Sequence, residues 1–354
     1  MDHTIPDKML MGGLRTRISV GAAVLALALL PACGGDDSIE SAVTDSGAVE
    51  TSLAEADDDA NGHDDAHSHE DDEAHTHDEV GIDTAMFLDG ALAEEPTQVD
   101  CTLTDGTQTT CLELTVVGYP VDEGVGEFCP TTIDATADDV GIWFDGSAVY
   151  DIDGDFILGL AELYDDNNWQ LHNDDGTVNV TDTEEAFDAA ARPDVDPDYQ
   201  NHCVEGQIAW LPDGEPIATT VTIPLEPVDT TTPSDTGRDN LGVTVNGVVI
   251  ANSAPVDAIL SAYTIAAFDD CGGHINPIDG YHLHGHTDCG EVAMESHAAL
   301  IGYALDGYAI YAATDASDLD ACGGHTDDVL GYHYHAAETH ENAVISCFTG
   351  AIAR

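Results

Sequence analysis

The sequence predicts a mainly β fold, a β-rich α+β arrangement built from hairpins and stapled by disulfides. Asp-Gly and Asn-Gly pairs, the strongest short-range hairpin signal, separate runs of β-branched and aromatic residues. Eight cysteines beyond residue 33 form an even set, and the last third of the chain contains an internal repeat. The turn pairs are Asp105-Gly106, Asp145-Gly146, Asp153-Gly154, Asp175-Gly176, Asp213-Gly214, Asn246-Gly247 and Asp306-Gly307.

Residues 1–32 have the pattern of an export signal. Arg15 and Arg17 precede an apolar run, residues 18–30, that is shorter than the roughly 20 residues a membrane-spanning helix needs. The sequence Leu-Pro-Ala-Cys at residues 30–33 resembles the lipobox of bacterial lipoproteins. This resemblance implies cleavage before Cys33 and a lipid on Cys33, and therefore a cell-surface or periplasmic lipoprotein whose contact with the membrane is that lipid. An ordinary secretory signal, which would give a secreted protein, is the alternative.

An exported chain meets an oxidising compartment, where an even set of cysteines forms disulfides. Two cysteines flank Asp105-Gly106 symmetrically, as a bridge across a hairpin requires. Eight cysteines allow 105 connectivities, and metal binding by some thiols is the alternative. The expected pairs are Cys101 with Cys111, Cys129 with Cys203, Cys271 with Cys289, and Cys322 with Cys347.

The charge of the chain excludes nucleic acid as a partner. The formal net charge is −64, and after residue 32 the basic residues are Arg192, Arg238 and Arg354. Such a surface repels phosphate backbones and anionic lipid headgroups, and it suits a saline environment that screens its self-repulsion. The partners left open are a small molecule or another surface component.

Shifts in composition divide the chain into five segments. An acidic, His-rich stretch has too little apolar surface to order itself and predicts a tether. A Thr/Pro/Ser/Asp-rich stretch predicts a linker between two folded modules. The segments are 1–32 (signal), 33–85 (tether), 86–228 (β-rich module), 229–240 (linker) and 241–354 (the duplicated domain, with an alternative start near residue 140).

Two local patterns in the first module predict specific elements. Thr181 and Glu184 form a capping box and predict a helix that ends at Arg192-Pro193. Asp153-Gly154 is predicted to be a hairpin turn rather than part of a calcium loop, because Phe156 stands where such a loop needs glycine.

One pattern occurs twice with identical spacing. Cys271-Gly-Gly-His274, five residues, Gly280-Tyr-His-Leu-His284 returns 51 residues later as Cys322-Gly-Gly-His325, five residues, Gly331-Tyr-His-Tyr-His335. The turns at Asn246-Gly247 and Asp306-Gly307 precede the two copies, so each unit is a hairpin followed by the Cys-His segment. Two copies of one unit usually pack about a twofold axis, which predicts that both histidine triplets meet at a common centre.

The triplets point to a bound transition metal. Alternate residues of a strand share a face, so His282 projects with His284 and His333 with His335. Three imidazoles with an open position describe a catalytic zinc site, and imidazole ligands favour zinc or copper, with iron or manganese as alternatives. The competing interpretation is a set of interior polar groups satisfied by hydrogen bonds. The predicted ligands are His274, His282, His284, His325, His333 and His335, with His286, His297 and His340 as secondary candidates.

These residues also carry a family resemblance. Gly331-Tyr-His-Tyr-His335, preceded by Cys322-Gly-Gly-His325, looks like the YHYH-domain family of exported proteins, with the best likeness over about 240 to 350. The first copy differs only in Leu283 in place of the second tyrosine. The resemblance implies an exported protein and names no reaction.

Three classes of function follow from the sequence. The first is metal binding through the triplets. The second is a metal-dependent enzyme, a hydrolase or a copper oxidase, since a metal with an open position can activate water; its candidate bases are Asp269, Asp270, Glu291, Asp306 and Asp320. The third is a surface adhesion or matrix module in which the histidines are structural.

Overall fold

A computed structural model describes residues 81–191, 194–237 and 240–354 of the protein. The predicted signal, Cys33 and most of the tether, with its histidines, lie outside these residues. The α-helices are α1 (Gly154–Leu163), α2 (Glu184–Ala191) and α3 (Val256–Ser261). The strands are β1 (Thr97–Thr102), β2 (Gln108–Val116), β3 (Ile142–Phe144), β4 (Val149–Asp151), β5 (Cys203–Val204), β6 (Thr219–Pro224), β7 (Asp229–Asp235), β8 (Gly242–Thr244), β9 (Val249–Ile250), β10 (Ile265–Ala266), β11 (Gly273–Asn276), β12 (Gly280–Leu283), β13 (Leu300–Ala304), β14 (Ala309–Tyr311), β15 (Gly324–Asp327), β16 (Gly331–His335) and β17 (Cys347–Gly350).

The strands confirm the predicted β-rich class and form one large sheet with smaller ones around it. The large sheet has eight strands in the order β11-β12-β9-β8-β13-β14-β16-β15. A second sheet has the order β1-β2-β6, and three pairs, β3 with β4, β5 with β10, and β7 with β17, complete the set.

The eight-stranded sheet is symmetric about its middle. The strands of the two repeated units follow the same order when each is counted from its own edge of the sheet. β8 and β13 lie at its middle and run antiparallel, and Val243 pairs with Tyr303 across them. Each leads through a tight turn to an antiparallel partner, β9 or β14. Each partner then pairs in parallel with a histidine strand, β12 or β16, whose own hairpin partner forms the sheet edge. The two histidine hairpins therefore occupy opposite edges of one sheet.

Two of the predicted hairpin turns are different structures. Asp153 is the N-cap of α1, and its side chain accepts a hydrogen bond from the backbone N–H of Phe156 at 2.8 Å. Ile157 and Leu160 lie three residues apart and are buried, so the helical period decides this segment. Asp213-Gly214 belongs to a 3-10 turn, Pro212–Gly214, with no strand directly on either side.

The predicted helix after Thr181 is α2, but its cap is a different residue. The Thr183 hydroxyl accepts from the backbone N–H of Ala186 at 3.2 Å. The Thr181 hydroxyl instead donates to the carbonyl of Glu205 at 2.9 Å and accepts from its N–H at 3.0 Å. Thr181 is fully buried, and this pair of bonds joins the chain before α2 to β5.

All four predicted disulfides are present. They join Cys101 to Cys111, Cys129 to Cys203, Cys271 to Cys289, and Cys322 to Cys347. The last two begin at the cysteine of each Cys-Gly-Gly-His segment and so fasten both histidine hairpins to the chain that follows them.

The segment predicted as a linker contains a strand. β7 pairs antiparallel with β17, with Ser234 opposite Phe348. Its side chains are mostly exposed, and Pro233 is tolerated because an edge strand needs few of its N–H groups. One apolar core also extends across the predicted boundary between the two modules. Leu114 and Val116 of β2 belong to the same apolar cluster as Val243 and Tyr303 of the large sheet.

A second apolar cluster joins the first module to the histidine hairpin. Trp143 and Phe144 of β3 are fully buried with Phe268, and their rings stack on it at centroid distances of 6.0 and 4.3 Å. Ile142 and Phe268 also exchange backbone hydrogen bonds of 2.7 and 2.9 Å. Among the residues described, no helix has both the length and the apolar character needed to cross a membrane.

Candidate metal centres

The Cys-Gly-Gly-His segment owes its composition to the tyrosine of the facing strand. Gly272 has φ +80°, which favours glycine, and it turns the chain into β11. A Cβ on Gly273 would lie 2.4 Å from the hydroxyl of Tyr281, so only glycine leaves room for that ring. The second copy repeats both features, since Gly323 has φ +87° and a Cβ on Gly324 would lie 2.2 Å from the Tyr332 hydroxyl.

An aspartate two residues before each cysteine holds this turn. The carboxylate of Asp269 accepts from the N–H groups of Cys271 and Gly273, at 3.2 and 3.1 Å, and from the Tyr281 hydroxyl at 3.1 Å. In the second copy Asp320 accepts from Cys322 and Gly324, at 2.8 and 3.0 Å, and from the Tyr332 hydroxyl at 2.9 Å. The repeated motif therefore begins at the aspartate. The sequence contains this signal, because the aspartate lies two residues before the cysteine in both copies.

These aspartates are poorly placed to act as bases at a metal. Tyr281 neighbours His282 in a strand, so the two side chains project from opposite faces, and Asp269 is bonded to the tyrosine side. Another candidate base, Asp306, is also used structurally: it accepts from the Tyr334 hydroxyl at 2.6 Å and from the N–H of Gly350 at 2.9 Å. Asp270 and Glu291 belong to neither histidine cluster.

The first histidine cluster consists of His274, His282 and His284. His274 and His282 face each other across β11 and β12, and His284 follows β12 on the same side of the chain. Their Nε2 atoms form a nearly equilateral triangle with edges of 3.0, 3.1 and 3.2 Å. His282 and His284 are buried and His274 is half-buried.

Backbone carbonyls fix the tautomers of two of these rings. Nδ1 of His282 lies 3.1 Å from the carbonyl oxygen of Gly280, and Nδ1 of His284 contacts the carbonyl of Asn252. Carbonyl oxygens only accept, so both Nδ1 atoms carry the proton, and in a neutral ring Nε2 then offers a lone pair. Two lone pairs therefore face each other at 3.1 Å. Such a contact is repulsive unless a cation lies between them.

The surroundings keep the three rings neutral. Burial lowers the pKa of His284 to about 3 and lowers the pKa of His282, while burial and the two neighbouring imidazoles hold the pKa of His274 well below its usual value. A neutral imidazole can bind a metal without first losing a proton.

The size of the triangle fits a first-row metal ion. Three Nε2 atoms about 3.1 Å apart could all bind one ion at the zinc–nitrogen distance of roughly 2.0–2.1 Å. The first cluster could therefore hold a metal ion through three neutral imidazoles.

The second cluster consists of His297, His325, His333 and His335. Nε2 of His325 lies 3.0 Å from Nε2 of His333, and one donor atom from each ring lies within 4.8 Å of the others. The Nδ1 atoms of His333 and His335 bond to the carbonyls of Gly331 and Ala312, at 3.0 and 2.8 Å, which repeats the tautomers of the first cluster. Burial lowers the pKa of His333 to about 4 and lowers that of His335.

Comparison with known families identifies a domain that includes the first cluster. Residues 220–319 match a family model described as YHYH protein. The chain contains a YHYH domain. The match includes the first copy of the motif and His297 but ends before Cys322, whereas the sequence resemblance is best over about 240 to 350. No curated protein and no solved structure matches the chain.

The eight-stranded sheet keeps the two triplets apart. β12 and β16 are five strand spacings apart in the sheet, a path on the order of 24 Å at about 4.8 Å per strand. The expected common centre is therefore wrong, because the twofold-related copies meet through β8 and β13 rather than through their histidine strands.

The secondary candidates have two different outcomes. His297 joins the second cluster from the segment between β12 and β13. Within the described chain, His286 and His340 belong to neither cluster: Nε2 of His286 lies 3.2 Å from the carbonyl of Cys289, and burial lowers its pKa to about 4. Spacing could not select His297, because it lies outside the repeated motif.

Proposed function

We propose that this is an exported metal-binding protein in which each histidine cluster holds one transition-metal ion, with zinc or copper preferred over iron or manganese. The observation that carries the proposal is the pair of Nε2 lone pairs of His282 and His284, which face each other at 3.1 Å while both Nδ1 protons are bonded to carbonyls. An ion bound to both nitrogens converts that repulsion into attraction.

Export is supported by two independent features of the chain. The residues before Cys33 have the pattern of a signal ending in a lipobox-like sequence, and four disulfides require an oxidising compartment. A lipid on Cys33 would tie the protein to the membrane and leave the YHYH domain in the extracytoplasmic medium.

Metal content of the full-length chain tests the proposal. The wild type is compared with two double variants, His282→Ala/His284→Ala and His333→Ala/His335→Ala, after equilibration with Zn²⁺ or Cu²⁺ and removal of weakly bound metal. We expect each variant to bind one equivalent less than the wild type. The difference is unaffected by histidines before residue 80, because all chains share them. His172→Ala is the matched control, since His172 belongs to neither cluster.

Thermal melting gives a second readout of the same proposal. Metal at about 100 times its Kd adds about 2.7 kcal/mol per site, so a chelator should lower the melting temperature of the wild type and have a smaller effect on each double variant. Equal metal content in all chains, with melting insensitive to chelation, would show that the histidines are structural. The protein would then be better explained as an adhesion or matrix module.

The copper-oxidase alternative is weakened by the same geometry. A pair of copper ions held by three and three histidines requires both triplets to face one centre, and the sheet places the triplets at opposite edges. Any metal-dependent reaction would therefore use a single ion in one cluster.

A further inference from the structure

The two clusters differ in what covers them. The first lies against an aromatic layer: the Phe268 ring centroid is 5.2 Å from that of His274 and 5.6 Å from that of His284. Phe144 stacks on Phe268 and reaches the backbone beside His284, where a Cβ on Gly285 would lie 3.1 Å from its ring. Both phenylalanines are fully buried. Buried aromatic rings, which offer no donor atom to a metal, therefore pack against the first cluster.

The second cluster opens into a cleft. The cleft has a volume of about 550 Å³, and its lining includes His297, His325 and His335 together with Glu295, Thr314 and Asp327. Nε2 of His335 is buried and has no hydrogen-bond partner among the described residues. His335 is 3% exposed. A buried nitrogen without a partner on the wall of a cleft indicates a ligand at that place.

One member of the second cluster comes from outside the histidine hairpin. His333 and His335 lie on β16, and carbonyls fix their Nδ1 atoms. His325 lies on β15, and its Nδ1 is 3.2 Å from a carboxylate oxygen of Asp318. His297 comes from a segment outside the repeat, is half-buried, and makes its one Nδ1 contact with the carbonyl of the next residue, at 3.3 Å. Its ring also packs on Tyr311, at a centroid distance of 4.3 Å. His297 is the one ligand of the cluster that no strand of the histidine hairpin carries.

The cleft selects against anions. Glu295 and Asp327 line it, Asp318 lies behind His325, and no Lys or Arg is among its lining residues. Carboxylates beside a bound ion raise the cost of bringing a negative ligand to the same place, while they attract an ammonium group or accept a hydrogen bond from a neutral N–H.

We propose that the second cluster is an exchange site, where a small neutral nitrogen ligand, such as an imidazole or an amine that has left its ammonium proton to the solvent, enters from the cleft and displaces His297 on the metal. The first cluster, under Phe144 and Phe268, keeps its ion out of reach of the same ligand. This inference rests on the proposed function, since it requires an ion in each cluster.

Cobalt(II) tests the exchange site, because its visible absorption reports its coordination. The full-length protein is loaded with Co²⁺ and titrated with imidazole and, separately, with azide. We expect imidazole to change the spectrum of the wild type and of His282→Ala/His284→Ala, and to leave that of His333→Ala/His335→Ala unchanged. A variant that combines the four His→Ala substitutions measures the spectral response of cobalt bound outside the two clusters. We also expect azide to bind at least tenfold more weakly than imidazole.

His297→Ala tests the displaced ligand without removing the strand-borne histidines. The variant should keep its second-site cobalt and bind imidazole about tenfold more tightly than the wild type, because no internal ring competes. An unchanged or weaker affinity overturns the role of His297. If two ions bind and imidazole changes the spectra of both equally or of neither, the inference is overturned and the proposed function stays intact. The same holds if two ions bind and azide binds more tightly than imidazole. Absence of bound cobalt in either cluster refutes the proposed function itself.

Discussion

Replacing the aspartate that begins each copy of the motif should have very different effects in the two copies. Asp269 and Asp320 accept from equivalent groups: two backbone N–H groups of the turn and a tyrosine hydroxyl. Asp269 also accepts from the N–H of Gly126 at 3.3 Å. Asp269 is 1% exposed, whereas Asp320 is exposed. Water can replace the carboxylate in the second copy and not in the first.

The magnitude for Asp269→Ala follows from these contacts. Four donors lose their partner at about 2 kcal/mol each. Burial raises the pKa of Asp269 to about 6, so removing the charge recovers about 3 kcal/mol at neutral pH. The net loss in the free energy of unfolding is about 5 kcal/mol. For Asp320→Ala, where water takes over the donors, we expect about 1 kcal/mol.

Denaturant unfolding of the full-length chains in the presence of a chelator measures both losses without a contribution from metal. Asp269→Asn is the matched control, since its amide oxygen keeps an acceptor near the turn, and it should cost less than half as much as Asp269→Ala. If Asp269→Ala does not fold, the Asn variant is compared with Asp320→Asn instead. Equal losses at the two positions would refute the argument that burial decides the cost.

Two further predictions concern the disulfides and the pH dependence of stability. Removing the Cys129–Cys203 bond, which spans 74 residues, should lower the free energy of unfolding by about 4.5 kcal/mol. Removing Cys101–Cys111, which spans 10 residues, should lower it by about 2.7 kcal/mol. Denaturant unfolding of the two double Cys→Ser variants measures both losses, and the reverse order would contradict the loop-length argument. Burial raises the pKa of Asp306 to about 6, so the folded state holds that proton more tightly than the unfolded state. Relative to Asp306→Asn, the wild type should therefore lose about 3 kcal/mol of stability as the pH rises from about 3 to 7. Urea unfolding at several pH values measures this loss, and a constant difference would count against it.

Several features of the site were predictable because they depend on residues close together in the chain. The alternation of His282 with His284 sets their common face, since a strand has a period of two. The Asn246-Gly247 turn joins an antiparallel pair because that sequence favours the tight turn a hairpin needs. The bridge from Cys101 to Cys111, across the Asp105-Gly106 turn, is a further local feature, and it is present.

Other features were decided where one segment of the sequence contains patterns that favour different secondary structures. Asp153-Gly154 is a good turn sequence, yet Asp153 caps a helix because the residues after it bury one face at a helical period. The stretch around Pro233 has the composition of a linker, and it is a strand because β17 offers it an edge to pair with. Local propensity is a weak prior when a distant partner is available.

By itself, the sequence determined the β-rich class, the even set of cysteines and the two sets of imidazoles, because each follows from spacing along the chain or from the chemistry of single residues. The pairing of the cysteines was one of 105 connectivities, and the structure decided it. Only the tertiary structure decided that the sets lie apart, that His297 joins one of them, and that Phe144 and Phe268 cover the other. These outcomes depend on which strands meet at the centre of the sheet and on packing between residues more than a hundred positions apart. No local period encodes such contacts.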